Sequence, residues 1–328
     1  MMGDERNFRS QFYGKVGLHD VEDKRAVEAL LKEQPLNPKK LAHFAQRSVV
    51  PATHRNEVWK IMLDITPRYA ESRDYVAQQH TLMYEELWDA LKALGLASIS
   101  YGVDGINGHD FYALCMDSKQ SKTGAKSYPE TPFPEHYVLM WLMSEAKLLY
   151  NPRQQLKSKE NMHFIAIARK VSSFFENPGD VYHVCSSLWA LLLRNQTMIM
   201  DALQEAIGML RKEHDVLHLH LLKIGLFTSP LLLDQCLSLF CDILPESAIE
   251  KILDKIIAKA FRILSFVVFA LLVNLRRSMA SVATVEGVRN LMTQIRKEEG
   301  DLIVTSALEQ WVVMQSGYVR SQRLNPAT

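Results

Sequence analysis

Three histidines, His214, His218 and His220, offer the sharpest chemistry that spacing alone suggests. His214 and His218 stand four residues apart, which on a helix puts both imidazoles on one face, as a divalent metal requires. The nearest acids, Glu213 and Asp215, point elsewhere around such a helix. The ligand set is incomplete, so partly solvated histidines on an amphipathic helix are expected, and no metal site. The acid clusters Glu85-Glu86/Asp89 and Glu298-Glu299/Asp301 read as solvated helix faces or caps, not acid–base pairs. Lys39-Lys40 and Arg276-Arg277 are too short for a nucleic-acid patch and lack interleaved aromatics, so no nucleic-acid partner is expected. There is no G-x-G-x-x-G, P-loop, G-x-S-x-G or H-E-x-x-H. Nucleotide cofactors, serine hydrolysis and zinc proteolysis therefore have no starting point, and no cofactor is expected.

The composition allows an ordinary globular chain: 328 residues, 48% hydrophobic, formal charge +1. Near-neutral charge gives no long-range pull on a polyanion. The four cysteines, Cys115, Cys185, Cys236 and Cys241, show no ligand spacing and suit a reducing compartment. The charged start, Met-Met-Gly-Asp-Glu-Arg, lacks an apolar signal core. The longest apolar run, residues 263–275, falls short of the roughly 20 residues a bilayer needs, so it reads as a buried core helix. A cytosolic protein is expected, with recruitment to lysosomal or vesicle membranes through partners.

The elements that must position these residues are helices. Apolar spacing follows the helical period and no two-residue alternation is sustained, so the class is all-α. Helices are expected over 24–33, 38–47, 53–65, 74–94, 135–149, 161–175, 180–194, 196–211, 213–225, 230–243, 246–274, 284–297 and 301–314. Thr53 reads as an N-cap, and Ser247 with Glu250 as a capping box. Residues 99–134 hold seven Gly or Pro around a polar run and read as a flexible insertion between two helical lobes. The expected domains are an N-terminal helical extension over 1–48, a main helical domain over 49–316, and a disordered tail over 317–328.

Helix 74–94 carries an unusually wide apolar arc. Val76, Met83, Leu87, Ala90, Leu91 and Leu94 form an expected core stripe, and Tyr84 and Trp88 widen it to roughly 160°. Large aromatics beside a buried face suit a partner helix, making Tyr84, Trp88 and Leu91 candidate partner-binding residues. The competing reading packs them under the N-terminal helices.

Two blocks of sequence carry a family resemblance. The first is Pro51-Ala-Thr-His-Arg-Asn-Glu-Val-Trp-Lys-Ile-Met-Leu63, with the order P-x-x-x-R-x-x-V-W-x-x-x-L. The second is Leu239-Phe240, Leu244-Pro245, then Ile252-Leu253-Asp254-Lys255-Ile256 and a buried helix. These resemble the TBC domain, the fold of Rab GTPase-activating proteins, with Leu253 where that family usually has Trp. Arg6-Asn-Phe-Arg-Ser10, Tyr13, Lys15-Val-Gly17, Phe44-Ala-Gln-Arg47 and Trp311 narrow the resemblance to the TBC subfamily found in the tuberous sclerosis complex. It implies a TBC-type helical fold in two lobes, with Arg55, Trp59 and Asp254 as its signature residues.

TBC domains activate GTP hydrolysis with an Arg from I-x-x-D-x-x-R and a Gln from Y-x-Q-G-M. The Arg offsets charge on the transferred phosphoryl group and the Gln orients water. Here no Asp has an Arg three residues later and no Tyr has a Gln two later. Glu160 aligns with the Gln, and a carboxylate there repels a γ-phosphate. An arginine finger is worth about three to five decades of rate, or roughly 4–7 kcal/mol, so no catalytic residues are expected. The resemblance then implies a non-catalytic subunit that binds the hamartin coiled coil. Through it, the chain would support tuberin, GTPase activation of Rheb and restraint of TOR signalling. The alternatives are a Rab GTPase activator using a displaced Arg153, Arg169 or Arg194, and a helical adaptor unrelated to GTPases.

Overall fold

The computed structural model describes residues 19–98 and 132–324. They hold sixteen α-helices and short 3₁₀ turns, with no strand among them. In chain order the helices are α1 His19–Lys32, α2 Pro38–Arg47, α3 Ala52–Met62, α4 Arg73–Ala93, α5 Pro134–Ser144, α6 Pro152–Leu156, α7 Lys159–Val171 and α8 Pro178–Arg194. They continue with α9 Gln196–Glu213, α10 Asp215–Lys223, α11 Leu231–Leu237, α12 Glu246–Ile257, α13 Ile263–Asn274, α14 Arg276–Met279, α15 Val285–Thr293 and α16 Lys297–Leu324. The chain divides into two compact units, residues 1–77 with 187–328, and residues 78–186. The divisions fall within α4 and α8, not in the 99–134 segment that its composition marked out. Residues 99–131 of that segment, and the N-terminal motif at residues 6–17, lie outside the described residues.

The first unit is built on α13. Every residue from Ile263 to Leu272 is buried, because α9 covers one side of this helix and α16 another. α12 packs against α2, α3 and α16 with Ile249, Ile252, Leu253 and Ile256 fully covered. In the second unit α5 lies on α7, with residues 135–142 buried and Trp141 edge-on to Phe164 at 5.6 Å.

Several helix ends differ from the periodicity, for one recurring reason. The expected helix 246–274 is two helices, α12 and α13, broken where Lys259 takes a left-handed φ of 64°. Ala260 N donates to Lys255 O at 2.9 Å and Lys259 N to Ile256 O at 2.8 Å, the paired bonds of a Schellman stop. The same bonds end α3 at Asp64 (φ 58°) and α5 at Ala146 (φ 54°). None of these stops uses the Gly that usually announces one. α16 runs to Leu324, well past residue 314, so residues 317–324 of the expected tail are helical.

Two expected caps are also absent. α3 begins on Pro51 with no side-chain cap, leaving Thr53 inside the first turn. The Ser247–Glu250 capping box does not form. Ser247 Oγ instead donates to Asp301 Oδ1 of α16 at 2.7 Å, and Glu250 pairs with Arg55 of α3 at 2.8 Å. Tertiary partners outcompete the local cap.

Close approach of α16 to the start of α12 rests on Gly300. A Cβ there would stand 2.4 Å from Pro245 Cδ, a ring carbon that cannot swing aside. Gly300→Ala is expected to destabilise the chain by about 1–3 kcal/mol, the usual cost of overpacking, despite alanine's better helix propensity. Thermal unfolding checks it, and an unchanged or raised melting temperature would contradict this packing.

Candidate functional site

Arg55, Trp59 and Asp254, the signature residues, meet in one buried cluster. Arg55 and Trp59 are four residues apart on α3, so both side chains leave the same face. Asp254 on α12 is 0% exposed, Trp59 0% and Arg55 5%. Arg55 Nε donates to Asp254 Oδ1 at 3.2 Å and Trp59 Nε1 to the same oxygen at 2.8 Å. Val50 N donates to Oδ2 at 3.1 Å, and an Arg55 terminal nitrogen lies 3.5 Å from Oδ2. Four N–H contacts converge on two oxygens, an environment fit for an acceptor-only carboxylate. Burial pushes the Asp254 carboxyl above its ordinary value, and the Arg55 charge and Trp59 bond oppose that rise.

The rest of the Arg55 guanidinium is also committed. Nη2 donates to Val50 O at 2.7 Å and Nη1 pairs with Glu250 at 2.8 Å. Next to Asp254, Lys255 is 2% exposed and donates to both Ala45 O and Ser48 O at 2.6 Å, binding the end of α2. Gln46 Nε2 donates to Ala258 O at 2.8 Å, and Trp311 Nε1 to Gln46 O at 2.7 Å. Residue patterns give Lys255 and Gln46 no role of their own and assign Glu250 to a local cap. The available signal was an Asp-Lys pair between isoleucines on an otherwise apolar helix, which must be satisfied once buried. The cluster is structural: each charge faces the protein, and none is left to meet a phosphate.

Glu160, which the family resemblance aligns with the Gln, is exposed in the first turn of α7, where an acid suits the helix dipole. Ser158 caps that helix, accepting from Asn161 N at 3.3 Å. Arg169 lies nine residues further along α7, about 13.5 Å by helical rise, and its charge acts on the buried Glu135. Arg153 is exposed on α6, and Arg194 ends α8 in the other unit.

The partner-binding candidates divide. Leu91 is the one α4 residue that is fully buried. Tyr84 is half-buried with its ring 6.5 Å from Tyr182, and Trp88 half-buried 5.1 Å from His136 with Lys92 Nζ 5.6 Å from its ring. Tyr84, Trp88 and Leu91 thus form the inward stripe of α4 in the second unit, Tyr84 beside the start of α8 and Trp88 beside α5. Met83 and Leu94, expected in the core, are 48% and 60% exposed. The rest of the expected stripe is covered, Leu91 fully and Val76, Leu87 and Ala90 in part; Met83 and Leu94 differ because residue type alone cannot tell an apolar contact face from an apolar outer face. Leu82 and Tyr75 share the outer side with Met83 and are also exposed.

The three histidines go separate ways. His214 separates α9 from α10 with its ring 5.9 Å from Phe269. His218 stacks on Phe227 at 5.2 Å, and His220 Nε2 lies 3.0 Å from both Met279 O and Val282 O. Among the described residues no group of three His, Cys, Asp or Glu could hold a metal.

Comparison with known proteins fits this geometry. The chain is 26% identical to TBC1 domain family member 7 of Danio rerio over 311 residues, covering 94% of this chain and 95% of that protein. It is likewise 26% identical to the Homo sapiens protein of that name over 94% of each chain. The crystal structure of the Ypt/Rab-GAP domain of Gyp1p superposes with a TM-score of 0.52 at 12% identity, covering 90% of this chain and 99% of that one. No protein-family model matches. The fold is therefore the TBC-type, Rab-GAP helical fold.

Burial holds the Lys255 ammonium down at about 8, against the pull of Asp254 and Asp23, whereas its ordinary value is 10.5. Between those values the unfolded chain binds more protons than the folded one, so this residue's contribution to stability rises with pH. Relative to Lys255→Met, the native chain is expected to gain up to about 3 kcal/mol between pH 8 and 10.5. Urea unfolding of both proteins across that range measures it, and parallel stability curves would refute it.

Proposed function

We propose that this chain is a non-catalytic TBC-fold subunit that binds the coiled coil of hamartin and supports the hamartin–tuberin complex. By that route it contributes to tuberin's GTPase activation of Rheb and to restraint of TOR signalling. The observation that carries the reading is the loss of both fingers within an intact fold. The signature cluster is complete, yet an exposed glutamate stands at the Gln position and no Asp is followed three residues later by Arg. Similarity over nearly full length to proteins named TBC1 domain family member 7 supports it.

The rival reading, a Rab GTPase activator with displaced fingers, draws on the likeness to a Ypt/Rab-GAP domain. Of its candidates, Arg169 serves the buried Glu135. Purified protein is expected not to accelerate GTP hydrolysis by a panel of Rabs. Stimulation of about a hundredfold on any one, abolished by a single Arg substitution, would establish the rival, since fingers work on that scale.

The partner face belongs to the outer side of α4. Leu82 and Met83 stand 44% and 48% exposed along it within the second unit, adjacent apolar anchors of the kind a helix-in-groove contact uses. Leu82→Glu with Met83→Glu is expected to weaken hamartin coiled-coil binding by about thirtyfold or more, the loss of one hot spot, with the melting temperature held. Tyr84→Ala with Trp88→Ala is expected to do the reverse, lowering stability first. Calorimetric titration and thermal unfolding on the same preparations distinguish the two. If the glutamate pair binds like the native chain, α4 is not the docking helix.

A further inference from the structure

The connection between α5 and α6, residues 145–151, carries the most exposed adjacent pair of large apolar side chains among the described residues. Leu149 is 63% exposed and Tyr150 105%. One exposed leucine needs no explanation, but two such neighbours at the tip of a fixed loop do. The loop is fixed from both ends. The left-handed Ala146 stops α5, with Lys147 N donating to Leu142 O at 2.7 Å. Gln155 of α6 then braces the tip, its Nε2 donating to Lys147 O at 2.8 Å and its Oε1 accepting from Leu149 N at 2.9 Å. Asn151 caps α6 by accepting from Gln154 N at 3.2 Å. The apolar pair is thus presented ready-made, with little ordering to lose on docking.

The neighbourhood of this tip is basic. Lys147 precedes it, Arg153 and Lys157 flank the bracing Gln155, and Lys159 opens α7; all four are exposed. The same segment carries two exposed acids: Glu145, 3.6 Å from Lys147, whose Nζ also lies 4.9 Å from the Trp141 ring centre, and Glu160. Four cations against two anions leave the segment net positive in a chain whose overall formal charge is +1. A tyrosine and a leucine that protrude, bordered by long cationic side chains, match the anchors of proteins that lie on a bilayer. The aromatic sits at the headgroup level, the aliphatic dips below it, and Lys and Arg reach lipid phosphates. Among the described residues no helix is long and apolar enough to cross a membrane, so such contact stays at the surface.

We infer that residues 147–159 form a peripheral membrane-contact site that seats Leu149 and Tyr150 in the interface of a bilayer carrying anionic lipid. The contact is weak and reversible, as a single small insertion must be. Lipid charge selects it: each cation at an anionic leaflet adds about fivefold to partitioning. Salt screens that attraction over a distance of about 10 Å at 0.1 M. The site needs no coiled-coil partner and does not rest on the function proposed above.

Flotation of the purified full chain with phosphatidylcholine vesicles, with and without phosphatidylserine, tests this. Binding is expected to the phosphatidylserine vesicles at low salt and to fall as salt rises. Leu149→Ser with Tyr150→Ser is expected to lower it at least about tenfold, since two apolar side chains then no longer leave water. Lys157→Glu with Lys159→Glu is expected to abolish the preference for phosphatidylserine. All four positions are exposed, so circular dichroism and melting temperature serve as controls that should not move. The inference is overturned if the native chain ignores phosphatidylserine, or if it binds and both variants bind equally well. It is also overturned if the serine pair leaves vesicle binding intact and instead loses a purified GTPase or the hamartin coiled coil, which would make the tip a protein contact.

Discussion

A single buried carboxylate organises the N-terminal part of this fold. Asp254 draws N–H groups from Arg55, Trp59 and the backbone of Val50 onto its two oxygens, so helix α3 and the residues just before it can meet α12 in only one register. The next residue, Lys255, turns to a different side of the same helix and holds the carbonyls at the end of α2. Two adjacent charges on one helix thereby fix two others. Burying such a cluster is expensive, and an apolar replacement of equal volume is often no less stable. Its contribution is geometric: apolar stripes can slide by a turn with modest loss, whereas a carboxylate deprived of its donors is left charged in a dry interior.

The same arithmetic shows that the Arg55–Trp59–Asp254 cluster serves the fold. Arg55 is the arginine most easily noticed in the sequence, yet its guanidinium is consumed by Asp254, Val50 O and Glu250. It has no free face to turn toward a phosphoryl group. The groups that keep the helices in register and the groups that would perform chemistry are separate sets, so one can persist without the other. A chain can therefore keep a TBC-type architecture whatever side chain it presents at the start of α7, where Glu160 is exposed.

Much of this was legible from residue patterns, and the failures share a cause. The all-helical class and the buried run now seen as α13 follow from helical spacing, and the family resemblance singled out Arg55, Trp59 and Asp254 without saying that they meet. The break between α12 and α13 did not show because Lys259, not glycine, takes the left-handed turn, and the same holds at Asp64 and Ala146. Ser247 and Glu250 have the spacing of a local cap, but Asp301 and Arg55 claim them across the fold. Local rules describe what a segment would do alone. They fail where a distant partner offers the same atoms a better bond.

Helix α4 shows the converse case, an element with too little tertiary context. Of its twenty-one residues one is fully buried, although Tyr75, Leu82 and Met83 stand on its outer side. Helices within proteins owe most of their stability to packing of an apolar face, and here the inward stripe of Tyr84, Trp88 and Leu91 supplies that. The outer apolar residues add nothing to the chain by itself; exposed to water, they are an aggregation liability. Residues that give no stability alone but have the spacing of a helix-binding strip make sense when a second helix covers them.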